Sequence, residues 1–490
     1  MMYCYIIKES SEIPLKSHRT RPRFEDKLLN NIKQRLKAEG FEDVKLSIRE
    51  GVITLITKSN ERVGQVVSEV FGVHKVCKAI CKKFSSLDEI VRDAEPIYRD
   101  IVKGKKFAVR VKRAGVHDFT SLDVAAKVGE VLRKYSAGVN LSKPDVTVNI
   151  EVRHDMVYYI LECWEGVKGL PLGIEGRVIT LFSGGFDSTL SSWLAAKRGC
   201  EVDLLHFFMG SEEVSTLAFN IAKKLSKWFL PYKPRMYVID ITPLLAEIRL
   251  KVRRDYSQVV LRWCMYYMAQ KICKIHGCDA IVTGESVGQA SSQTLKNISV
   301  IEELIPKEVG TKPILRPLSF MDKEEIIDMI RSLNLYDLTS KVREVCRLAE
   351  GPVTTRANVE VLSQEISKIS KEFLDSLVDT HIVINVLETD IEEFKKLIEG
   401  LTRDIDIKLD EVKDKYVLVD VRPKHIYDKE HLPNAIHISK LLSSAESVDR
   451  NIIYVLYCDH GTLSNIYAKL LRKLGLRAYS LKGGLRRLKP

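Results

Sequence analysis

The chain has 490 residues and a formal net charge of +12, with 45% hydrophobic and 29% charged residues. At about 150 residues per domain this length holds roughly three domains. The composition excludes collagen, a small disulfide scaffold and a chain disordered throughout.

No apolar run approaches the ~18 residues that cross a bilayer. The start, MMYCYIIKESSE, lacks the basic, apolar and small-residue segments of a secretory signal. The expected location is the cytoplasm, with no membrane partner. Ten cysteines are spread thinly over the chain, so most are expected as small buried hydrophobes. Cys77 and Cys81 read as structural, because no second pair follows at zinc-ribbon spacing. Cys264, Cys273 and Cys278 lie in a helical stretch and its exit.

In chain order, residues 1–60 hold a polar helix, Phe24–Ala38, and then VKLSIREGVITLIT, which alternates like a hairpin. Residues 61–168 begin with a helix over Arg62–Phe71 and a strand near Val73–Phe84. KFAVRVKRAG follows as a strand, LDVAAKVGEVLRKY as a helix, and DVTVNIEVRHDMVYYILECWEG as a second hairpin. The first 168 residues are therefore expected to form two small α+β units, 1–60 and 61–168. From Lys103 to Lys134 nine basic residues face three acidic ones. Lys105, Lys106, Arg110, Lys112 and Arg113 form its densest part, a candidate surface for an acidic partner such as nucleic acid.

The pattern changes near Gly176. RVITLFSGG, VDLLHFF, RMYVIDIT and DAIVTGES read as buried strands alternating with helices. That order predicts a doubly wound, mostly parallel α/β sheet over 169–385. Leu387–Ile405 is charged and reads as a helical linker (386–405). YVLVDVR, AIHIS, NIIYVLYC and RAYSL then give a second, smaller α/β unit over 406–490.

Ser183-Gly184-Gly185-Phe186-Asp187-Ser188 lies between a strand and a helix. Glycines let backbone approach a polyphosphate, and the free N–H groups of the helix start face the anion. The hydroxyls of Ser183 and Ser188 add donors, and Asp187 is placed to hold magnesium on the phosphates. The loop lacks the Lys-Ser/Thr ending of a Walker A sequence. A second segment, Thr283-Gly284-Glu285-Ser286 through Thr294, follows the fourth strand. In open α/β sheets ligands sit beyond the carboxyl ends of strands, so this loop is expected to face the first.

SGGxDS at a strand–helix junction resembles the PP-loop pyrophosphatases, which cleave ATP to AMP and pyrophosphate. Together with TGESVGQASSQT and PILRPLSFMDKEEII it resembles the tRNA 4-thiouridine synthases, the ThiI family. Upstream, FAVRVKRAGVHDFTSLDVAAKVGEVL, KPDVTVNIEV and GLPLGIEGRV resemble that family's THUMP domain running into its PP-loop domain. A ferredoxin-like unit precedes them.

The resemblance implies that Leu181 and Phe182 contact nucleotide and that His206 and Phe207 contact its adenosine part. It assigns Arg262, Gly284 and Gln293 to the remaining ATP positions. It places Asp322 and Lys323 in a family motif, where they could equally cap a helix. The basic run becomes an expected tRNA surface.

LVDVRPKHIYDKEHLPNAIHI, YVLYCDHGTLSNIYAKLLRKLG and YSLKGGLRRL resemble a rhodanese domain. Cys458 ends a strand before a helix, where N–H groups and the helix dipole stabilise an anionic persulfide. Ser464 stands where rhodanese-fold phosphatases need arginine, which favours sulfur transfer. Asp459 and His460 replace a more positive pair, which favours a protein persulfide donor such as a cysteine desulfurase over thiosulfate. Leu488 replaces a frequent terminal aromatic. The resemblance makes Cys346 a second reactive cysteine, forming a disulfide with Cys458 that an external reductant resets. A CxxC iron–sulfur arrangement found in some relatives is not matched, because Tyr267 stands where Cys264 would need a partner.

The implied activity is ATP-dependent adenylation of a uridine, position 8 of tRNA, followed by persulfide sulfur transfer to give 4-thiouridine. The alternatives are a persulfide carrier for thiamine thiazole synthesis, and a tRNA-binding sulfur carrier with a non-catalytic nucleotide site. A homodimer is compatible with the sequence.

Overall fold

The computed structural model describes residues 3–49, 51–58, 62–342, 353–402, 405–443, 449–459 and 461–487. It divides into two units, residues 1–174 with 197–199, and residues 175–196 with 200–490.

The first unit runs β1 (Tyr3–Glu9), α1 (Arg21–Ala38), β2 (Val44–Arg49), β3 (Val52–Thr57), α2 (Val63–Ser68), β4 (Val73–Lys83), α3 (Leu87–Val102), β5 (Lys106–Ala114), α4 (Ser121–Arg133), β6 (Gly138–Val139), β7 (Val146–Arg153) and β8 (Met156–Glu165). Its strands form one eight-stranded sheet in the order β2-β3-β1-β4-β8-β7-β5-β6. Two separate small units were expected here. The long strand β4 joins them, pairing antiparallel with β1 on one side and β8 on the other. Helix α2, grouped with 61–168 from the sequence, packs in the core of the first half, while β4 is shared by both. Val63, Val66 and Val67 of α2 share a core with Leu28 and Ile32 of α1 and Tyr5 and Ile7 of β1.

Helices α3 and α4 cover the other half around Tyr98, Phe107, Val128, Leu132 and Val148. Each such apolar side chain stabilises the fold by about 1.5–3 kcal/mol through burial. A capping box at Thr120 and Asp123 starts α4. On the opposite sheet face, Cys77 is bridged to Cys163, its direct cross-strand neighbour. Cys77 is thus structural as expected, but as half of a disulfide.

The second unit continues with β9 (Arg177–Leu181), α5 (Phe186–Lys197), β10 (Glu201–Phe208), α6 (Glu212–Ser226), β11 (Arg235–Asp240), α7 (Thr242–Lys251), α8 (Ser257–His276), β12 (Ala280–Val282), α9 (Leu295–Glu303), β13 (Ile314–Leu315), α10 (Lys323–Ser332), α11 (Tyr336–Thr339), α12 (Val359–Ser367), α13 (Lys371–Asp379) and β14 (Ile382–Asn385). The sheet order is β13-β12-β9-β10-β11-β14. All neighbours are parallel except β14, which runs antiparallel along the β11 edge. The central helix α8 is buried nearly all round, with Trp263, Cys264, Tyr266, Tyr267 and Met268 inside the core. Burial raises the pKa of the Cys264 thiol. Among the described residues no group of three metal-ligating side chains converges.

Beyond β14 comes α14 (Ile391–Thr402), within the segment read as a linker. It is packed rather than free. Phe394 stacks on Phe219 of α6 at 4.1 Å between ring centres, and Lys223 of α6 donates to the Thr389 carbonyl just before the helix. The last elements are β15 (Asp406–Ile407), β16 (Tyr416–Asp420), α15 (Lys424–Tyr427), β17 (Ile436–His437), α16 (Ile438–Ser443), β18 (Ile453–Tyr457), α17 (Thr462–Lys473) and β19 (Arg477–Leu481). They build a five-stranded parallel sheet in the order β15-β19-β18-β16-β17. Among the described residues no helix is long and apolar enough to cross a membrane.

Candidate functional site

The site lies beyond the carboxyl ends of β9, β10 and β12. β9 ends at Leu181, and Phe182 continues its direction by donating its backbone N–H to Leu205 of β10. Gly184 then adopts φ +82° and packs against α6, where an added Cβ would stand 2.8 Å from the Ala218 Cα. Only glycine fits this bend. Hydroxyls hold the loop from inside. The backbone N–H of Ser183 donates to the Ser188 Oγ at 3.2 Å, and that of Gly185 to the Ser183 Oγ at 3.3 Å. Helix α5 starts at Phe186, so its first-turn N–H groups open on this loop, the arrangement that binds phosphate.

The loop after β12 forms the facing wall. Gly284 touches the start of α5 so closely that a Cβ would lie 2.7 Å from backbone atoms of Asp187 and Ser188. Asp187 is gripped from this side. Lys323 Nζ donates to one carboxylate oxygen at 2.7 Å, and Gln289 Nε2 to the other at 2.9 Å. The structure separates the two residues of the MDK motif. Asp322 caps α10 in a capping box with Glu325, while Lys323 reaches Asp187.

The remaining expected nucleotide residues surround these two loops. His206 is 4% exposed. Its Nδ1 donates to the Phe182 carbonyl and its Nε2 accepts from the Ser215 hydroxyl, both at 2.9 Å. Burial lowers its pKa, against a smaller opposite effect of the carbonyl, which favours this neutral form. His206 therefore fixes the end of the Phe182 strand, with both ring nitrogens bonded to protein. Phe182 and Phe207 are buried, Phe207 within the core cluster. Gln293 carries a buried Oε1 with no partner among the described residues, suited to a ligand N–H.

Sequence reasoning missed Glu285. It is 4% exposed and accepts from Arg262, from Arg316 at 2.8 Å, from Tyr266 and from Thr283 at 3.1 Å. Arg262 also donates to Ser292 at 3.2 Å. One carboxylate thus fixes two arginines beside Gly284. Its neighbours come from positions 23 and 31 residues away, so only the placement of an acid inside a Ser/Gly loop hinted at it.

Nucleotide triphosphate fits this surface: a phosphate-binding loop, two fixed arginines, one lysine and an orphaned buried acceptor converge. For magnesium, Asp187 is the carboxylate that the described residues place at the loop, sufficient for an ion that takes most of its ligands from phosphates and water.

In the first unit, Lys105, Lys106, Arg110, Lys112 and Arg113 are all exposed. Strand alternation puts Lys106, Arg110 and Lys112 on one face of β5. Arg110 donates to the Leu141 carbonyl, and Arg113 to that of Gly115. Among the described residues none of the five forms an ion pair, whereas Lys127 and Lys134 pair with Asp88 and Glu95.

Cys458 follows β18 directly and is 4% exposed. Its Sγ lies 3.7 Å from the Ser464 hydroxyl, which in turn meets Ser480 at 2.9 Å. The Cys458 carbonyl accepts from the Leu485 N–H at 2.9 Å. Arg422, paired in the interior with Asp420, points a guanidinium N–H at Asp459 at 3.5 Å. That cation offsets the acid in the loop. Cys346, His460 and Leu488 lie outside the described residues.

A family model described as "Thiamine biosynthesis protein (ThiI)" matches residues 173–371. A ThiI ferredoxin-like domain matches 5–77, a THUMP domain 84–161 and a rhodanese-like domain 406–489. The chain is 41% identical over 489 residues to a tRNA sulfurtransferase of Desulfurococcus amylolyticus, covering 99% of this chain and 98% of that protein. The chain belongs to the ThiI family.

A tRNA sulfurtransferase of Thermoplasma acidophilum is 35% identical to this ThiI chain, over 98% of it and 94% of the relative. Among solved structures, a 4-thiouridine synthetase–RNA complex with bound ATP is similar at a TM-score of 0.69 and 25% identity. It covers 78% of the ThiI chain and 99% of its own. The ferredoxin-like match ends within β4, the strand shared by both halves of the sheet.

Proposed function

We propose that this chain is an ATP-dependent tRNA uracil 4-sulfurtransferase that makes 4-thiouridine, at position 8 by family resemblance. One observation carries the reading: Asp187 of the SGGFDS loop is held by Gln289 from the facing loop and by Lys323 from the start of α10. This is a built polyphosphate site in a chain that also carries a rhodanese-like cysteine loop. The relatives named tRNA sulfurtransferase and the ATP-bound 4-thiouridine synthetase complex support it.

The basic face of β5 grips tRNA phosphates and supplies affinity and register rather than sequence choice. The loop N–H groups of Ser183–Ser188 and the cations Lys323 and Arg262 hold the triphosphate; Asp187 would hold magnesium, which would supply neutralisation of phosphate charge. Uridine O4 attacks the α-phosphorus and pyrophosphate leaves. Fixed N–H groups and cations stabilise the charge that builds on phosphate. The C4–O bond now ends in AMP, a good leaving group. The terminal sulfur of a Cys458 persulfide attacks C4, and AMP departs with the bonding electron pair. The Cys346 thiolate then attacks the Cys458 sulfur. It forms the Cys346–Cys458 disulfide and releases the C4 sulfur with its electrons as 4-thiouridine. A dithiol reductant returns two electrons to the pair, and a persulfide donor such as a cysteine desulfurase reloads Cys458.

Two variants separate the halves of the reaction. Asp187→Ala abolishes tRNA-dependent pyrophosphate release. Cys458→Ala keeps pyrophosphate release and loses thiolation from a persulfide donor. If Cys458→Ala thiolates tRNA normally with that donor, the relay is wrong. If wild-type protein takes up sulfur on Cys458 but never releases pyrophosphate with tRNA, the carrier reading replaces the enzyme.

A further inference from the structure

The cysteine loop is carried on a helix that is itself part of the adenylation unit's core. Ile466 and Leu470, one turn apart on α17, sit in one apolar cluster with Leu244, Leu245 and Ile248 of α7. Tyr467 between them accepts a hydrogen bond from Arg249 of α7 at 2.5 Å, and the guanidinium lies 4.7 Å from its ring centre. Lys469 Nζ donates to Asp240 at 2.8 Å and to the Thr242 hydroxyl. The lysine side chain is only 13% exposed there. A cation this sheltered is tolerated because its partner is present, and separating the pair strands a charge.

The position of these contacts matters as much as their chemistry. Asp240 ends β11 and stands opposite Phe208, the residue after the His206–Phe207 pair. This is the carboxyl edge of the sheet, the edge that carries the phosphate loop. A second contact reaches the same edge. Arg486, whose backbone N–H donates to the Asp459 carbonyl, pairs with Glu213 in the first turn of α6 at 3.6 Å. Lys469 and Arg486 thus tie both sides of the cysteine loop to the ends of β10 and β11.

We infer that sulfur is delivered in cis: α17 docks on α7 of the same chain, and this interface keeps Cys458 at the nucleotide edge for its own adenylated uridine. The inference rests on the persulfide relay proposed above. Docking raises the effective concentration of the persulfide far above that of a second molecule in solution. The α7 face is filled by its own α17, so a cysteine loop from another chain has no vacant seat there.

The test mixes two full-length inactive variants, Asp187→Ala and Cys458→Ser, with unmodified tRNA, ATP, magnesium and a persulfide donor. Cis delivery predicts no more 4-thiouridine from the mixture than from either variant alone. Recovery of activity on mixing overturns it. A second variant probes the interface. Lys469→Glu is expected to lower persulfide-driven thiolation at least about tenfold. It is expected to leave thiolation from free sulfide, which bypasses Cys458, unchanged. Adding Asp240→Lys restores the loss. A Lys469→Glu protein with wild-type persulfide-driven rate also overturns the inference. Failure of the relay itself has a different signature, persulfide-driven thiolation by Cys458→Ser alone.

Discussion

Lys323 and Asp187 form a 2.7 Å ion pair between the first turns of two helices, 136 residues apart in the chain. The pair joins the start of α5, at the phosphate loop, to the start of α10. Both side chains keep some exposure, 38% and 22%, so its contribution to folding is small. Its value is positional: it keeps a cation over the phosphate loop. Lys323→Ala is expected to lower tRNA-dependent pyrophosphate release by about 10²–10³-fold, the cost of losing one fixed charge-stabilising donor. Its Tm should stay within a few degrees of wild type. Pyrophosphate assays and thermal melts on the same preparation check both halves.

Glu285 makes a second prediction. Glu285→Gln keeps the shape and removes the charge that two arginines share. Leaving Arg262 and Arg316 without their buried partner costs about 3–5 kcal/mol of stability. The freed Arg262 should raise KM for ATP about tenfold or more, while tRNA affinity in a filter-binding assay stays unchanged. A parallel fall in tRNA affinity would show that the network supports the fold and not the nucleotide.

The His206 imidazole has its pKa pushed below 6.5 by burial, with the Phe182 carbonyl acting in the opposite sense. The folded protein keeps it neutral, while the unfolded chain binds a proton as pH falls through 6.5. Its contribution to stability is therefore present above that pH and lost below it. Thermal melts should show a steeper loss toward acid in wild type than in His206→Asn, which keeps a donor for the Phe182 carbonyl but does not titrate. Equal slopes in the two proteins would contradict this.

The basic face of β5 predicts a salt effect. Replacing Lys106, Arg110 and Lys112 together by alanine should weaken tRNA binding. It should also reduce the slope of log affinity against log salt by roughly 2–3, since each lost phosphate contact removes about 0.7–0.9. An unchanged slope would place the tRNA surface elsewhere.

Much of this molecule was legible in its sequence because its signals are local. SGGFDS carries its own turn, hydroxyls and helix start, and the strands around it alternate with helices over short distances. Cys458 likewise stands between a strand and a helix that adjoin it directly. The misses involve distant partners. Strand β4 looked like the start of a second unit because nothing in VHKVCKAICKK shows that it pairs on both sides. The Cys77–Cys163 bridge spans 86 residues and depends on that pairing. Helix α14 has the charged surface of a linker, but Phe394 on its inner face finds Phe219. Glu285 reads as one more loop residue until Arg262 and Arg316 arrive from other elements. The two protein partners of the His206 ring nitrogens, Phe182 and Ser215, likewise come from other elements.

The central claim is that this chain couples ATP cleavage to sulfur insertion in tRNA. The most direct measurement incubates the full-length protein with unmodified tRNA, magnesium and a persulfide donor, with and without ATP. The tRNA is then digested to nucleosides for mass spectrometry. The account predicts 4-thiouridine only in the presence of ATP, with one AMP formed per sulfur inserted. Sulfur loaded on the protein with no thionucleoside in the tRNA, ATP present, would contradict it.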